Sequence, residues 1–194
     1  MIDNILTRKG VAFKTKVTVK GLVSAGIVAL AVVLPMLVHL AFGAEGGVKW
    51  LPMYLPVLIG GCILGVRWGL GVGIASPLAS FAVTSLIGNP MPAAARLPFM
   101  IAELAVLAAV SGLFSKKIVK SGLFAFPATI LAFVLCRTVF VLLVLVFNSF
   151  TPFSPELIFA QIESGILAVV LQSVTVPFAV IGLKLLLGVG KIND

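Results

Sequence analysis

From residue 21 to residue 42 the chain runs without a single Asp, Glu, Lys or Arg. A helix of about 20 apolar residues crosses roughly 30 Å of hydrocarbon, so an uncharged run of this length reads as a membrane span. Further predominantly apolar runs, some with one or a few charges, follow at 54–66, 69–86, 97–114, 122–147 and 156–187. The expectation is one all-α integral membrane domain over 1–194, built of six transmembrane helices after a basic segment at 1–20. The second run is short and glycine-rich. The last two exceed one bilayer thickness, so their ends project into water or tilt, with Pro127 and Pro177 as kink positions.

Composition enters to exclude the alternatives. With 61% hydrophobic and 10% charged residues, the chain is far from the roughly 25% charged residues of soluble domains. The formal net charge of +8 therefore reads as membrane topology and not as a nucleic-acid footprint. Arg8, Lys9, Lys14, Lys16 and Lys20 precede the first run, Arg67 follows the second, Lys116, Lys117 and Lys120 follow the fourth, and Lys184 and Lys191 lie at the end. The opposite connections carry only Lys49 and Arg96. By the positive-inside bias both termini are expected in the cytoplasm, with the protein multi-pass in the cell membrane. Residues 41–44 contain the small side chains of a signal cleavage site, but the apolar core before them is too long for a signal peptide, so a retained span is expected. Cys62 and Cys136 lie in apolar runs without Cys or His neighbours at metal spacing. Both read as packing residues, with no metal site.

Ionisable residues inside spans are costly and point to function. Glu103, Arg137 and Glu163 lie in the fourth, fifth and sixth spans, at roughly 7 to 16 Å below the outer boundary, counting about 1.5 Å per residue. A shared depth argues for a polar cavity opened from outside. An interior ion pair of Arg137 with Glu103 or Glu163 is the simpler alternative. Gln161, Gln172, Trp50, Tyr54, Phe99 and Phe140 fall near the same depth, and the aromatics suit a flat ligand or an interfacial anchor. The connection Gly88-Asn89-Pro90-Met91-Pro92-Ala93, ending at Arg96, is a turn or the cap of a cavity. His39 is the only histidine, which makes it a poor metal ligand and a better interfacial hydrogen-bonding group. Small residues four apart at Ala25 and Ala29 allow another helix to approach closely.

The chain has no G-x-x-x-x-G-K-[ST] loop, Ser/His/Asp set or H-E-x-x-H helix. No catalytic residue or cofactor is expected, and energy for uphill transport must come from elsewhere.

Two further segments carry a resemblance. Leu34-Pro35-Met36-Leu37-Val38-His39 ends the first span and Pro52-Met53-Tyr54-Leu55-Pro56-Val57 opens the second. Proline restricts its predecessor and lacks an amide hydrogen, so the second span starts irregularly. Backbone of that kind at membrane depth survives only packed in protein or lining a cavity. The LPM-x-x-H and PM-x-x-P-V segments, with Gly65-Val66-Arg67-Trp68-Gly69, Ser76-Pro77-Leu78 and residues 100–113, resemble the S components of energy-coupling-factor vitamin importers. The resemblance covers about residues 20–115 and departs at Tyr54, where similar sequences often carry His. It implies a protein that binds a vitamin from outside and topples to release it inward. Its implied partners are a transmembrane coupling subunit, docked through Ala25 and Ala29, and two ATPases. It also implies a ligand among the outward loops and the outer ends of spans four to six. Arg96 and Arg137 suit an anion, because guanidinium holds a carboxylate through two hydrogen bonds. Pantothenate fits, with cobalamin or a precursor, folate and a pyrimidine precursor open. A proton-coupled secondary transporter using Glu103 or Glu163, and a scaffold that binds no small molecule, are the other classes.

Overall fold

The computed structural model describes residues 1–8, 10, 12–147 and 155–188. Lys9 and Lys191 lie outside them. The regular elements are helices α1 (Ile2–Arg8), α2 (Phe13–Trp50), α3 (Tyr54–Leu64), α4 (Val66–Leu86), α5 (Leu97–Leu113), α6 (Ser115–Lys120), α7 (Ala125–Phe147) and α8 (Pro155–Leu186), with 3-10 turns at Ala94–Arg96 and Gly122–Phe124. Among the described residues, five segments are long and apolar enough to cross a membrane: Phe13–Gly43, Val66–Leu86, Ala94–Leu113, Gly122–Phe147 and Ala160–Leu186. The second expected span differs. It is α3, with 11 residues, or roughly 16 Å, about half the hydrocarbon thickness.

The missing length lies in the residues just before it. Gly43 breaks α2 with φ 71° and ψ −168°, a backbone that glycine adopts without a Cβ penalty. Beyond it the chain doubles back. A Cβ on Gly46 would stand 3.3 Å from the Val38 carbonyl oxygen, whereas residues eight apart on one helix are roughly 12 Å apart. The Phe42 and Trp50 ring centroids are 5.9 Å apart, as this reversal requires. Residues 44–50 thus form a short return arm beside the end of α2. A turn at Leu51-Pro52-Met53 follows, with Leu51 at φ 45°, and α3 then runs to the other end of the molecule. Pro56 falls in the first turn of α3, where its missing amide breaks no hydrogen bond. Pro127 occupies the same kind of position in α7, so it is no kink, while Pro177 lies inside α8.

Helix α3 is the centre of the bundle. It touches α2, α4, α5, α7 and α8, and nearly all its residues are buried. Lipid is as apolar as leucine, so helices in a membrane associate through close packing and not by escaping water. Glycine supplies that closeness here. A Cβ on Gly61 would lie 2.7 Å from the Ala108 carbonyl, one on Gly73 2.5 Å from the Leu104 carbonyl, and one on Gly112 2.7 Å from the Val66 amide. Backbones of α3, α4 and α5 therefore meet directly. Cys62 and Cys136 are buried free thiols. Buried Ser76, Ser111 and Thr129 bond to carbonyls one turn back, which keeps hydroxyls satisfied in an apolar interior.

The two ends of the bundle differ in charge. At one end α1 buries Met1, Ile2 and Leu6, and the Met1 amine donates to Ile63 O at 3.0 Å and Ser115 Oγ at 3.2 Å. Asp3 pairs with Lys20 there. Lys117 stands over the Phe114 and Phe124 rings, and Lys184 donates to Lys120 O. The opposite end, with the return arm and the 87–93 loop, carries Lys49 and Arg96.

Candidate functional site

Glu103 on α5 is fully buried, and both its oxygens are engaged. The Tyr54 hydroxyl donates to Oε2 at 2.7 Å, and Arg137 on α7 donates through Nη1 to Oε1 at 2.9 Å. The Arg137 guanidinium carbon lies 5.3 Å from the centre of the Tyr54 ring, which stacks on Phe133 at 6.3 Å. A cation over a ring face and a carboxylate with two donors offset the cost of burying charge. Arg137 Nη2 is buried with no partner among the described residues. This cluster holds α3, α5 and α7 together.

Tyr54 also faces a cavity. It has a volume of about 370 Å³ and lies among the end of α2, the Leu51–Met53 turn, α4, the 87–93 loop and the start of α5. His39, Asn89, Arg96 and Ser80 supply its polar groups, and Pro35, Met53, Met91 and Met100 much of its apolar wall. Among the described residues no carboxylate lines it. Arg96 is half-buried and pairs with no carboxylate among the described residues. The wall thus offers a positive charge to an anion.

Hydrogen bonds anchor the loop over this cavity. Thr84 Oγ1 accepts from the Met91 amide at 2.7 Å, Ser80 Oγ donates to Met91 O at 2.9 Å, and the Asn89 amide donates to Thr84 O at 3.1 Å. The loop is thus tied to α4, and its residues 89 and 91–93 form part of the cavity wall. Sequence reasoning missed these anchors, although Ser76, Ser80 and Thr84 recur every fourth residue on one face of α4. On the far wall, Gln172 of α8 donates to Trp50 O at 3.0 Å and Leu51 O at 3.1 Å. Leu51 O also accepts from the Tyr54 amide at 3.0 Å, so Gln172 is a second donor there and ties the turn to α8.

The expected site residues separate into groups. Tyr54, Asn89 and Arg96 line the cavity. Glu103 and Arg137 stand behind Tyr54 as the interior ion pair. Phe99 and Phe140 pack edge to face at 6.4 Å in a separate buried cluster with Ile162 beside it, so they offer no stacking face to a cavity ligand. Gln161 is half-buried with Oε1 unpartnered among the described residues. Glu163 is exposed and does not join Glu103 and Arg137. Helix α8 turns Ile162 toward α7, and the next residue points about 100° away. Trp50 lines a groove between α2 and α8 on the other side of the Leu51 turn. The cavity therefore lies among α2, α4 and the start of α5, the first, third and fourth of the expected spans, and among the described residues none of α7 or α8 lines it.

Ala25 and Ala29 are exposed. They line a shallow groove of about 660 Å³ between α2 and α4, faced by Gly71, Ala75 and Ala79.

Among the described residues, five apolar helices of spanning length packed around a buried short one are compatible with a multi-pass membrane protein, with a mainly apolar cavity carrying a few polar groups at the cation-poor end. No family model, curated protein or solved structure matches the chain.

Proposed function

We propose that this chain is the substrate-binding S component of an energy-coupling-factor importer, holding a small organic anion in the cavity beneath the 87–93 loop. One observation carries the reading. Two of the segments behind the family resemblance, at 34–39 and 52–57, line one cavity, through Pro35 and His39 of the first and Pro52, Met53 and Tyr54 of the second. The return arm, the Leu51–Met53 turn and α3 together make the sixth crossing as a broken helix, an arrangement that membrane transporters use at binding sites. Lys14, Lys16, Lys20, Arg67, Lys116, Lys117, Lys120 and Lys184 are placed in the cytoplasm by the positive-inside bias, so both termini are cytoplasmic and the cavity opens outward. The exposed small-residue groove at Ala25 and Ala29 supports docking of a transmembrane coupling subunit. Two ATPases then supply the energy for toppling and inward release.

Within this reading Arg96, and not Arg137, meets the anion, because Glu103 already neutralises Arg137. A cavity of about 370 Å³ suits pantothenate or a pyrimidine acid. A complete corrinoid is far too large for it. Calorimetric titration of the purified protein with pantothenate, folate, orotate and cobalamin tests the proposal, alongside co-purification with a tag on this chain. Tight binding of one small anion and recovery of a coupling subunit with two ATPases are expected. Binding of none of the four, with no ATPase recovered, would sink it.

A further inference from the structure

The connection between α5 and α7 gathers cations at one place. Helix α6 buries Ser115 and Ile118 and leaves Lys116, Lys117 and Lys120 exposed, so three amines rise from its outer side. A fourth comes from α8. A Cβ on Gly122 would stand 2.9 Å from Ile181 Cγ1, so α8 passes directly against the turn that follows α6. About one helical turn further on, Lys184 Nζ donates to Lys120 O at 3.4 Å. Lys117 is held as well, with its Nζ 5.5 Å from the centre of the Phe114 ring and 5.8 Å from that of Phe124. A ring face fixes an amine in place without cancelling its charge.

The carboxylates of the chain cannot balance this cluster. There are six acidic side chains in all. Asp3 pairs with Lys20, and Glu103 is buried against Arg137. Glu45 belongs to the return arm at the opposite end of the bundle, and Glu156 and Glu163 precede Lys184 on α8 by roughly 30 Å or more. Asp194, outside the described residues, is one charge against four lysines. A net positive field therefore remains at this end. Beside the lysines in the chain, Leu113, Leu123 and Leu185 are exposed.

We infer that the surface formed by α6, the turn after it and the end of α8 binds the phosphodiester headgroup of an anionic phospholipid, whose acyl chains lie on these leucines. Lysine binds phosphate as a point charge, and lysines at the rim of a bilayer draw anionic headgroups to within a Debye length. A soluble anion would meet the charges and leave the leucines bare. A phospholipid meets both. The site requires only that the long helices lie in a bilayer, and it is independent of the proposed vitamin cavity.

Native mass spectrometry of the purified protein in non-ionic detergent, titrated with dioleoyl-phosphatidylglycerol or with dioleoyl-phosphatidylcholine, reads the first lipid adduct. The two lipids share acyl chains and differ in net headgroup charge. Phosphatidylglycerol should bind at about thirtyfold lower concentration, roughly threefold for each of Lys117, Lys120 and Lys184. Gln at these three positions together should erase the preference. Gln at Lys14, Lys16 and Arg67 removes the same charge from the same end and should leave it intact. If the triple variant of the cluster fails to fold or insert, the single variants Lys117→Gln, Lys120→Gln and Lys184→Gln carry the test, each expected to lower the preference about threefold. Equal binding of the two lipids overturns the inference. So does an equal loss in the two triple variants, which would mean diffuse attraction and no site. Glycerol phosphate competing as well as the lipid would make this a surface for a soluble anion and overturns it too.

Discussion

Tyr54 donates a hydrogen bond of 2.7 Å to Glu103, joining the first residue of the central short helix to a carboxylate buried in its neighbour. Arg137 occupies the other oxygen of that carboxylate. The cavity wall and the charged interior of the bundle therefore meet at one phenol.

Removing one member of the buried pair should cost far more than removing both. Glu103→Gln leaves the Arg137 cation without its counter-charge, at about 3–5 kcal/mol. The double variant Glu103→Gln, Arg137→Met should recover most of that loss. Thermal unfolding in detergent checks the order, and a double variant no more stable than Glu103→Gln would contradict an interior ion pair.

Tyr54→Phe keeps the ring over Phe133 and beneath Arg137 but strips the donor from Glu103 Oε2. A stability loss of about 1–3 kcal/mol is expected, the cost of one unsatisfied buried acceptor. Ligand affinity should change little, because the hydroxyl is turned to Glu103 and away from the cavity. A drop in affinity without a drop in melting temperature would reassign Tyr54 to the ligand.

Arg96→Ala should behave in the opposite way. The side chain is half-buried and has no carboxylate partner among the described residues, so stability should hold to within about 0.5 kcal/mol. Affinity for the anionic ligand should fall about tenfold to a hundredfold, as for a lost hydrogen bond to a charged group. Calorimetry of Arg96→Ala beside Arg96→Lys decides it, with Lys restoring only part of the loss because it cannot bind a carboxylate bidentately.

Glycine positions should divide by what lies opposite. Gly73→Ala drives a methyl against the Leu104 carbonyl, with 2.5 Å available, and should destabilise the bundle by about 1–3 kcal/mol. Gly26→Ala meets nothing within 4 Å and should be neutral or slightly stabilising. Equal melting temperatures for the two variants would refute direct backbone contact between α4 and α5.

Leu at both Ala25 and Ala29 fills the exposed α2–α4 groove without touching the core. The variant should fold and bind ligand normally, yet lose the coupling subunit on co-purification. An intact complex would remove this groove from the docking surface.

Depth and spacing were legible before the fold. Glu103 and Arg137 were placed at a common depth by counting residues from the span ends, and they meet. Glu163 passed the same count and stays outside, because depth carries no information about rotation around the helix axis. That rotation is set by which side chains of α8 find partners on α7, and Ile162 finds Phe140. The Pro52–Pro56 pair marked a break, and the break is there at Leu51–Met53. The signal stopped short of Gly43, whose left-handed backbone turns the chain back and gives the short helix its missing length.

The sequence by itself determined the long apolar helices, the uneven distribution of cations and the positions where proline or glycine interrupts regular backbone. All of these depend on local composition or on rise per residue. Only the tertiary structure decided that Glu103 neutralises Arg137, that Arg96 is the cation facing the cavity, and that Gln172 ties the Trp50 and Leu51 carbonyls to α8. The ion pair and the Gln172 bonds join residues 34 to 122 positions apart, and such contacts exist only once helix rotation and the close packing of α3, α4 and α5 have been settled together.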